Sequence, residues 1–269
     1  MKMASLDLIA RRTFLASLGL AASLHAAGSS RIRAGCLVTP DSFDALLTAL
    51  RDIQRLGYSG YSTTMRVLQT QSGQMEEVRA QLSEIALDLI GVRATLPHYA
   101  ELGVDRALDE VARLAMAARQ FGARTLMLHS AGLGADGKFK PEDLDAKAKF
   151  FDQSAKRCKE TGVIFVYRTQ ESEFQNDAAE IAGLIGKTDK NTVYYDLDLA
   201  SASRAHAGAI AFFRDNPSRV FAMEAPFGDP QFKVHELAAA VKHTKWISWL
   251  IEAAPSEASR GVMKKAFGV

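Results

Sequence analysis

From residue 31 to the C-terminus, short strand-like apolar runs alternate with longer segments in which apolar residues recur every three or four positions. The first long segment shows the pattern clearly, because Phe43, Leu46, Leu50 and Ile53 share one face of a helix and Gly57 follows as a stop signal. The chain therefore predicts a regular succession of strands and helices.

Eight strand-and-helix units follow one another along the chain. The predicted strands are Arg31–Val38, Tyr58–Thr63, Leu87–Thr95, Arg124–His129, Val163–Arg168, Thr192–Asp198, Arg219–Glu224 and Trp246–Glu252. Regular alternation of strand and helix implies parallel strands joined by right-handed crossovers. Eight units within roughly 240 residues match a closed (β/α)8 barrel, or TIM barrel, which is typically about 250 residues long.

The main rival is a doubly wound open sheet, which usually has fewer units and often carries a glycine-rich phosphate loop after its first strand. Here the first predicted strand leads into Leu37-Val38-Thr39-Pro40 without such a loop. No low-complexity tract or linker divides residues 31–269. We therefore expect a single α/β domain over this range, a (β/α)8 barrel.

The N-terminal 28 residues have the pattern of an export signal. Arg11 and Arg12 precede Phe14-Leu15 and an apolar stretch, and the run resembles a twin-arginine signal. The stretch is shorter than the roughly 20 residues that a membrane span needs, so we expect no stable membrane anchor once the signal is removed. This interpretation predicts cleavage within residues 26–29 and a periplasmic or secreted protein; the alternative is a free amphipathic helix.

The charge of the chain argues against nucleic acid as a partner. The formal net charge is +2, and Lys2, Arg11 and Arg12 against Asp7 place that excess in the N-terminal segment. The body is therefore close to neutral, whereas binding to phosphate backbones needs a basic surface.

In a (β/α)8 barrel the active site lies at the C-terminal ends of the strands, so polar residues there are candidates. The last three predicted strands end in four carboxylates, on Asp196, Asp198, Glu224 and Glu252. Alternation along the strands allows all four to share the inward face, and we expect them to converge on the barrel mouth. Other polar residues at strand ends are Ser62, Thr63, Arg93, Thr95, His129, Arg168 and Gln170.

Converging carboxylates repel one another, so they persist where a cation neutralises them, where one is protonated, or where they perform acid/base chemistry. Divalent metals with oxygen ligands are the usual cation. Asp198, Glu224 and Glu252 are therefore a candidate site for Mg or Mn. The alternative is that these are solvated loop residues paired with nearby arginines.

The fifth-strand region carries a resemblance to a known family. Residues 155–163 read AKRCKETGV and residues 167–174 read YRTQESEF, which resembles xylose-isomerase-like barrels of the sugar phosphate isomerase/epimerase superfamily. Members often read Tyr-His-Asn-His and, two residues later, Glu-Phe. Asp198, the approach to Glu224, and Glu252 match the motifs of strands six to eight, so the resemblance covers nearly the whole chain after Arg31.

The resemblance implies an isomerase or epimerase, or a lyase, that acts on a sugar or keto-sugar. Family members bind Mn, Mg, Co or Zn through carboxylates and a histidine, and two carboxylates move a proton beside the polarised carbonyl. This sequence departs from the pattern, because Arg168 and Gln170 replace two histidines and Glu224 replaces a third. The alternative function is a degenerate barrel that binds a carbohydrate in the cell envelope without converting it.

Three groups of site residues follow from the strand ends and the resemblance. The catalytic candidates are Glu252, Arg168 and Glu173. The candidates for binding a small carbohydrate are His129, His98, Gln170 and Asp196. The metal candidates are Asp198, Glu224 and Glu252. We further expect Arg168 to point into the mouth, where a guanidinium that bridges two carboxylates would replace much of the charge of a metal ion.

Overall fold

The computed structural model describes residues 32–71, 73–134, 138–199, 209–242 and 248–269. Its eight parallel strands close into a barrel in sequence order, and the last strand is hydrogen-bonded to the first. The strands are β1 (Arg33–Leu37), β2 (Gly60–Thr64), β3 (Asp88–Thr95), β4 (Thr125–His129), β5 (Ile164–Arg168), β6 (Val193–Asp198), β7 (Val220–Ala225) and β8 (Trp249–Glu252). The predicted α/β class and (β/α)8 barrel are confirmed, whereas the predicted signal segment, residues 1–28, lies outside the described residues.

Helices follow the strands and cover the outside of the barrel. They are α1 (Phe43–Arg55), α2 (Met65–Gln69), α3 (Met75–Glu84), α4 (Tyr99–Leu102), α5 (Val104–Gln120), α6 (Pro141–Glu160), α7 (Gln175–Lys187), α8 (Ala209–Asp215), α9 (Val234–Val241) and α10 (Glu257–Phe267), with 3-10 turns at Glu171–Phe174 and Pro217–Arg219. The helix predicted from residue 205 and the strand predicted from residue 246 begin outside the described residues, and their described parts start at Ala209 and Trp249.

Local sequence explains how a typical unit forms. The Ser42 side chain accepts a hydrogen bond from the Ala45 amide, 3.2 Å away, and caps the N-terminus of α1. The apolar face of α1, which includes Leu46 and Leu50, is buried against the sheet. Gly57 then adopts a φ of 83°, a left-handed conformation that glycine tolerates best, and the chain turns toward β2.

Trp249 occupies the interior of the barrel together with apolar residues of the other strands. A Cβ atom on Gly35 would lie 3.2 Å from the indole, and one on Gly60 would lie 2.6 Å from it, so both positions must lack a side chain. The Arg33 guanidinium lies 3.8 Å from the centre of the indole ring. The remaining members of this interior cluster are Ile90, Met127, Val166, Phe221, Ala222 and Ile251.

Candidate active site

A network of two arginines and three carboxylates lies inside the barrel at the C-terminal ends of the strands. Arg168 approaches Glu224 with both Nε and Nη2, each 3.2 Å from a carboxylate oxygen, and its Nη2 is also 3.2 Å from Asp198 Oδ2. Arg93 Nη1 is 2.7 Å from Glu224 Oε2, and its Nη2 is 3.5 Å from Asp196 Oδ2. Glu224 thus contacts both guanidiniums, whereas Arg168 contacts Asp198 and Arg93 contacts Asp196.

Strand alternation and register bring this network together. Val166 belongs to the interior cluster, so Arg168, two residues later on β5, has the same inward direction. Arg168 pairs in register with Asp196 of β6, and Asp198 pairs with Glu224 of β7. The prediction that Arg168 joins carboxylates of neighbouring strands at the mouth agrees with these contacts.

The arginines act differently on the two most buried carboxylates. Burial opposes ionisation of Glu224, but the charges of Arg93 and Arg168 outweigh it and hold its pKa below the usual value. Burial raises the pKa of Asp196 to about 6, since its single contact with Arg93 is long and Glu224 adds repulsion. Asp196 Oδ1 finds no hydrogen-bond partner within the described residues, which fits a carboxyl that takes up a proton readily.

His129 ends β4, immediately before Arg168 in the order of the strands. Burial lowers its pKa, and the positive charges of Arg168 and Arg93 lower it further. Its imidazole is therefore neutral at pH 7; a hydrogen bond with the Ala94 backbone, which acts on the pKa in the opposite direction, engages one ring nitrogen and leaves the other able to accept a hydrogen bond.

Glu252 does not join this network, and the expectation that it points into the barrel is wrong. Trp249 and Ile251 of β8 belong to the interior cluster, so Glu252 lies on the opposite face of the strand, beneath α10. The Ala254 amide donates to its Oε1 over 2.9 Å. Burial raises its pKa, against the opposing effect of the Ala254 amide and the Ser259 hydroxyl, although Oε2 has no partner with hydrogen-bond geometry within the described residues.

Glu173 and Gln170 lie in the segment that follows β5, away from the charge network. Glu173 is fully buried behind β5, where it contacts Lys147, and its Oε2 accepts the Gln170 amide over 2.8 Å. The Gln170 side chain donates to the Thr169 carbonyl. These contacts give Glu173 and Gln170 roles in shaping the loop, whereas the sequence predicted contact with substrate.

His98 is also separate from the network. It follows β3, its side chain is 63% exposed, and its Nδ1 lies 3.3 Å from Glu101. Conversely, Arg93 was predicted only as a polar residue at a strand end, yet it is buried and contacts both Asp196 and Glu224. The signal that was available is its position near the C-terminal end of β3, where polar residues of a (β/α)8 barrel are candidates for the site.

The residues at the mouth do not fit the predicted metal site. Asp198 and Glu224 converge, but the guanidinium of Arg168 lies between them and Glu252 faces the other side of its strand. Among the described residues, no group of three or more histidine, cysteine, aspartate or glutamate side chains is arranged to hold a metal ion. Within the part of the chain that the structure describes, arginine side chains supply positive charge to Asp196, Asp198 and Glu224.

A match to a protein family model identifies the family to which this chain belongs. The family model described as the xylose isomerase-like TIM barrel matches residues 50–260. This chain therefore belongs to the xylose isomerase-like TIM barrel family, which confirms the resemblance read from the fifth-strand region. A search of curated proteins found no significant match to the sequence.

Solved structures share the architecture at low sequence identity. A 3-keto-D-glucoside 4-epimerase from E. coli is 15% identical with a TM-score of 0.67, over 88% of this chain and 100% of that one. A sugar phosphate isomerase/epimerase from Parabacteroides distasonis is 12% identical with a TM-score of 0.65, over 89% and 93%. A probable 3-DHS dehydratase from Bacillus anthracis is 11% identical with a TM-score of 0.66, over 88% and 98%. At these identities the likeness establishes the fold.

Within the described residues, no helix is both long enough and apolar enough to cross a bilayer.

Proposed function

We propose that this protein is an enzyme of the isomerase or epimerase type, acting on a small sugar or keto-sugar at the mouth of the barrel. One observation carries the proposal: Arg168, fixed by two carboxylates, stands on the strand between those that end in His129 and Asp198. Membership of the family and the fold shared with a keto-glucoside epimerase support the substrate class. The proposal also includes lyase chemistry, because a probable dehydratase has the same fold.

The chemistry requires a positive group beside the carbonyl oxygen of the substrate. Removing a proton from the neighbouring carbon places negative charge on that oxygen, and a fixed cation in a site shielded from water stabilises it. The three bonds from Arg168 to Glu224 and Asp198 use Nε and Nη2 and leave Nη1 for substrate, as far as the contacts of the described residues extend. Burial alone would lower the pKa of Arg168, but Glu224, Asp196 and Asp198 raise it, so the guanidinium stays charged.

Asp198 and His129 supply the proton transfers in this proposal. The Asp198 carboxylate takes the proton from the carbon and returns it to the adjacent carbon, which completes an isomerisation. The free nitrogen of the neutral His129 imidazole accepts the proton of the substrate hydroxyl and passes it to the former carbonyl oxygen, while the other nitrogen stays bonded to the Ala94 backbone. An epimerase would share the first step. Glu224 is excluded as the base because both of its oxygens are held by arginines.

The cellular location is proposed from the N-terminal sequence. Arg11 and Arg12 before an apolar stretch support export through the twin-arginine pathway, to the periplasm or beyond. An exported enzyme meets free or glycosidic sugars more often than sugar phosphates, so unphosphorylated keto-sugars are the first substrates to test.

The test is solvent deuterium exchange, followed by NMR, at the carbon beside the carbonyl in a panel of ketoses and 3-keto-glucosides. We expect exchange with the wild-type protein and a loss of about 100-fold or more in Asp198→Asn and in His129→Gln. Matched controls are Asp105→Asn and His235→Gln, which change the same residue types at exposed helical positions. Equal activity in a site variant and its control would remove that residue from the mechanism.

The second candidate function is a barrel that binds a carbohydrate without converting it. It is favoured by the direction of Glu252, which the family pattern retains but the structure turns away from the mouth. Saturation-transfer NMR on the same samples separates the two functions. Binding of a keto-sugar without any proton exchange would overturn the enzymatic proposal and support the binding one.

A further inference from the structure

A second cluster of buried charges lies behind β5, outside the barrel interior. Lys147 of α6 places its Nζ 2.6 Å from Glu173 Oε1 and 2.6 Å from Glu180 Oε1. All three side chains are at least 98% buried. The Tyr167 hydroxyl, on the outward face of β5, donates to the same Glu173 oxygen. Buried charges are retained only where they are paired and hydrogen-bonded, and this cluster meets that condition with one cation and two carboxylates.

The cluster holds the segment that follows β4. Glu180 Oε2 accepts the Leu133 amide over 2.9 Å, and Lys147 Nζ lies 3.4 Å from the Ala131 carbonyl. The Ser130 hydroxyl is 3.0 Å from the Tyr167 hydroxyl. Three residues of this segment, Ser130, Ala131 and Leu133, are therefore bound from one side, directly after His129 at the end of β4.

The same cluster holds the segment that follows β5. Glu173 Oε2 accepts the Gln170 amide, two residues after Arg168. The two segments also touch each other at Gly132, where a Cβ atom would lie 2.4 Å from Ser172 Oγ. One buried lysine thus connects the segment beyond His129 to the segment beyond Arg168.

We propose that Lys147 is a positioning residue of the barrel mouth: by pairing with Glu173 and Glu180 it fixes the segments 130–133 and 170–174 against each other and so sets the placement of His129 and Arg168. This positioning role applies whether the mouth converts a sugar or only binds one. Only its effect on turnover rests on the proposed function.

The test is amide hydrogen exchange of the full chain, measured by mass spectrometry, in Lys147→Met and in the milder Glu180→Gln. Without the cation, two buried carboxylates face each other, and the amides of Leu133 and Gln170, one in each of the segments 130–133 and 170–174, lose well-placed acceptors. We expect exchange in both segments to rise by about tenfold or more, with little change in β1 and β2. Glu180→Gln keeps an acceptor for the Leu133 amide, so we expect a smaller rise in exchange in the same two segments. This variant still tests the proposal if Lys147→Met does not fold.

The matched control is Arg219→Met. Arg219 is also a buried cation, but it bonds the Ile185 and Val193 carbonyls and the Thr188 hydroxyl near the N-terminal ends of the strands. Its loss should reduce overall stability without opening the two mouth segments selectively. A uniform rise in exchange in Lys147→Met, matching that of Arg219→Met, would overturn the proposal.

The second readout is the pKa of His129, followed by NMR of the histidine ring protons. Burial and the nearby arginines lower this pKa in the native protein. If the cluster positions the mouth, loosening it exposes the imidazole, and the pKa of His129 should rise toward its ordinary value in Lys147→Met but not in Arg219→Met. An unchanged His129 pKa in a folded Lys147→Met protein would refute the positioning role. Absence of any sugar turnover would count against the proposed function alone, because neither readout requires a substrate.

Discussion

Replacing Arg168 with methionine removes the guanidinium that joins Asp198 to Glu224 and keeps an unbranched side chain. Removing one partner of a buried ion pair typically costs about 3–5 kcal/mol. Arg93 still neutralises Glu224 in the variant, and 18% of the Arg168 side chain is exposed to water. We therefore expect Arg168→Met to lower the free energy of unfolding by about 2–3 kcal/mol at pH 8.

The direction of the pH dependence follows from the carboxylates. Glu224 has a lowered pKa in the folded protein, so it contributes stability above its unfolded pKa and loses that contribution as the pH falls through the folded value. Arg168→Met removes part of that contribution. Asp196, whose pKa burial raises to about 6, would also lose a favourable charge and bind its proton at still higher pH. The deficit of the variant relative to wild type should therefore be largest at pH 8, begin to shrink near pH 6, and become small below about pH 4.

The assay is urea unfolding followed by circular dichroism at several pH values, on wild type and variant side by side. Arg157→Met is the control, because Arg157 forms an exposed ion pair with Glu160 at 3.5 Å and its loss should change stability by no more than about 0.5 kcal/mol. A deficit for Arg168→Met as small as that of the control, or one that stays constant with pH, would refute the role of Arg168 as the cation of the network.

Three further predictions concern other parts of the chain. Glu252→Gln keeps the acceptor for the neighbouring amide and lies outside the mouth, so binding and turnover of sugar should match wild type; a loss of about 100-fold would return Glu252 to the chemistry. Gly60→Ala places a methyl group 2.6 Å from the Trp249 indole and should lower the free energy of unfolding, measured in urea, by about 1–3 kcal/mol; unchanged stability would contradict the close packing of the indole on Gly60. Replacing Arg11 and Arg12 with lysine should leave the precursor in the cytoplasm in cell fractionation, and normal export would exclude the twin-arginine interpretation.

Periodicity in the sequence was sufficient for the architecture. Eight alternations of strand and helix, with helix stops such as Gly57 and Gly162, correspond to the eight units of the closed barrel within one to three residues at most boundaries. The alternation of side chains along β5 and β6 also predicted that Arg168, Asp196 and Asp198 point inward, because the polar positions of each strand share one face.

The tertiary structure decided which side chains meet. Alternation divides β8 into two faces, both largely apolar, and does not say which one is interior. Trp249 points inward because Gly35 and Gly60, on strands distant in sequence, leave room for the indole, and this turns Glu252 outward. Arg93 follows an irregular register between β2 and β3, so counting residues along β3 does not give its direction. Local pattern fixes the elements of this protein, whereas packing between distant strands selects the residues of its site.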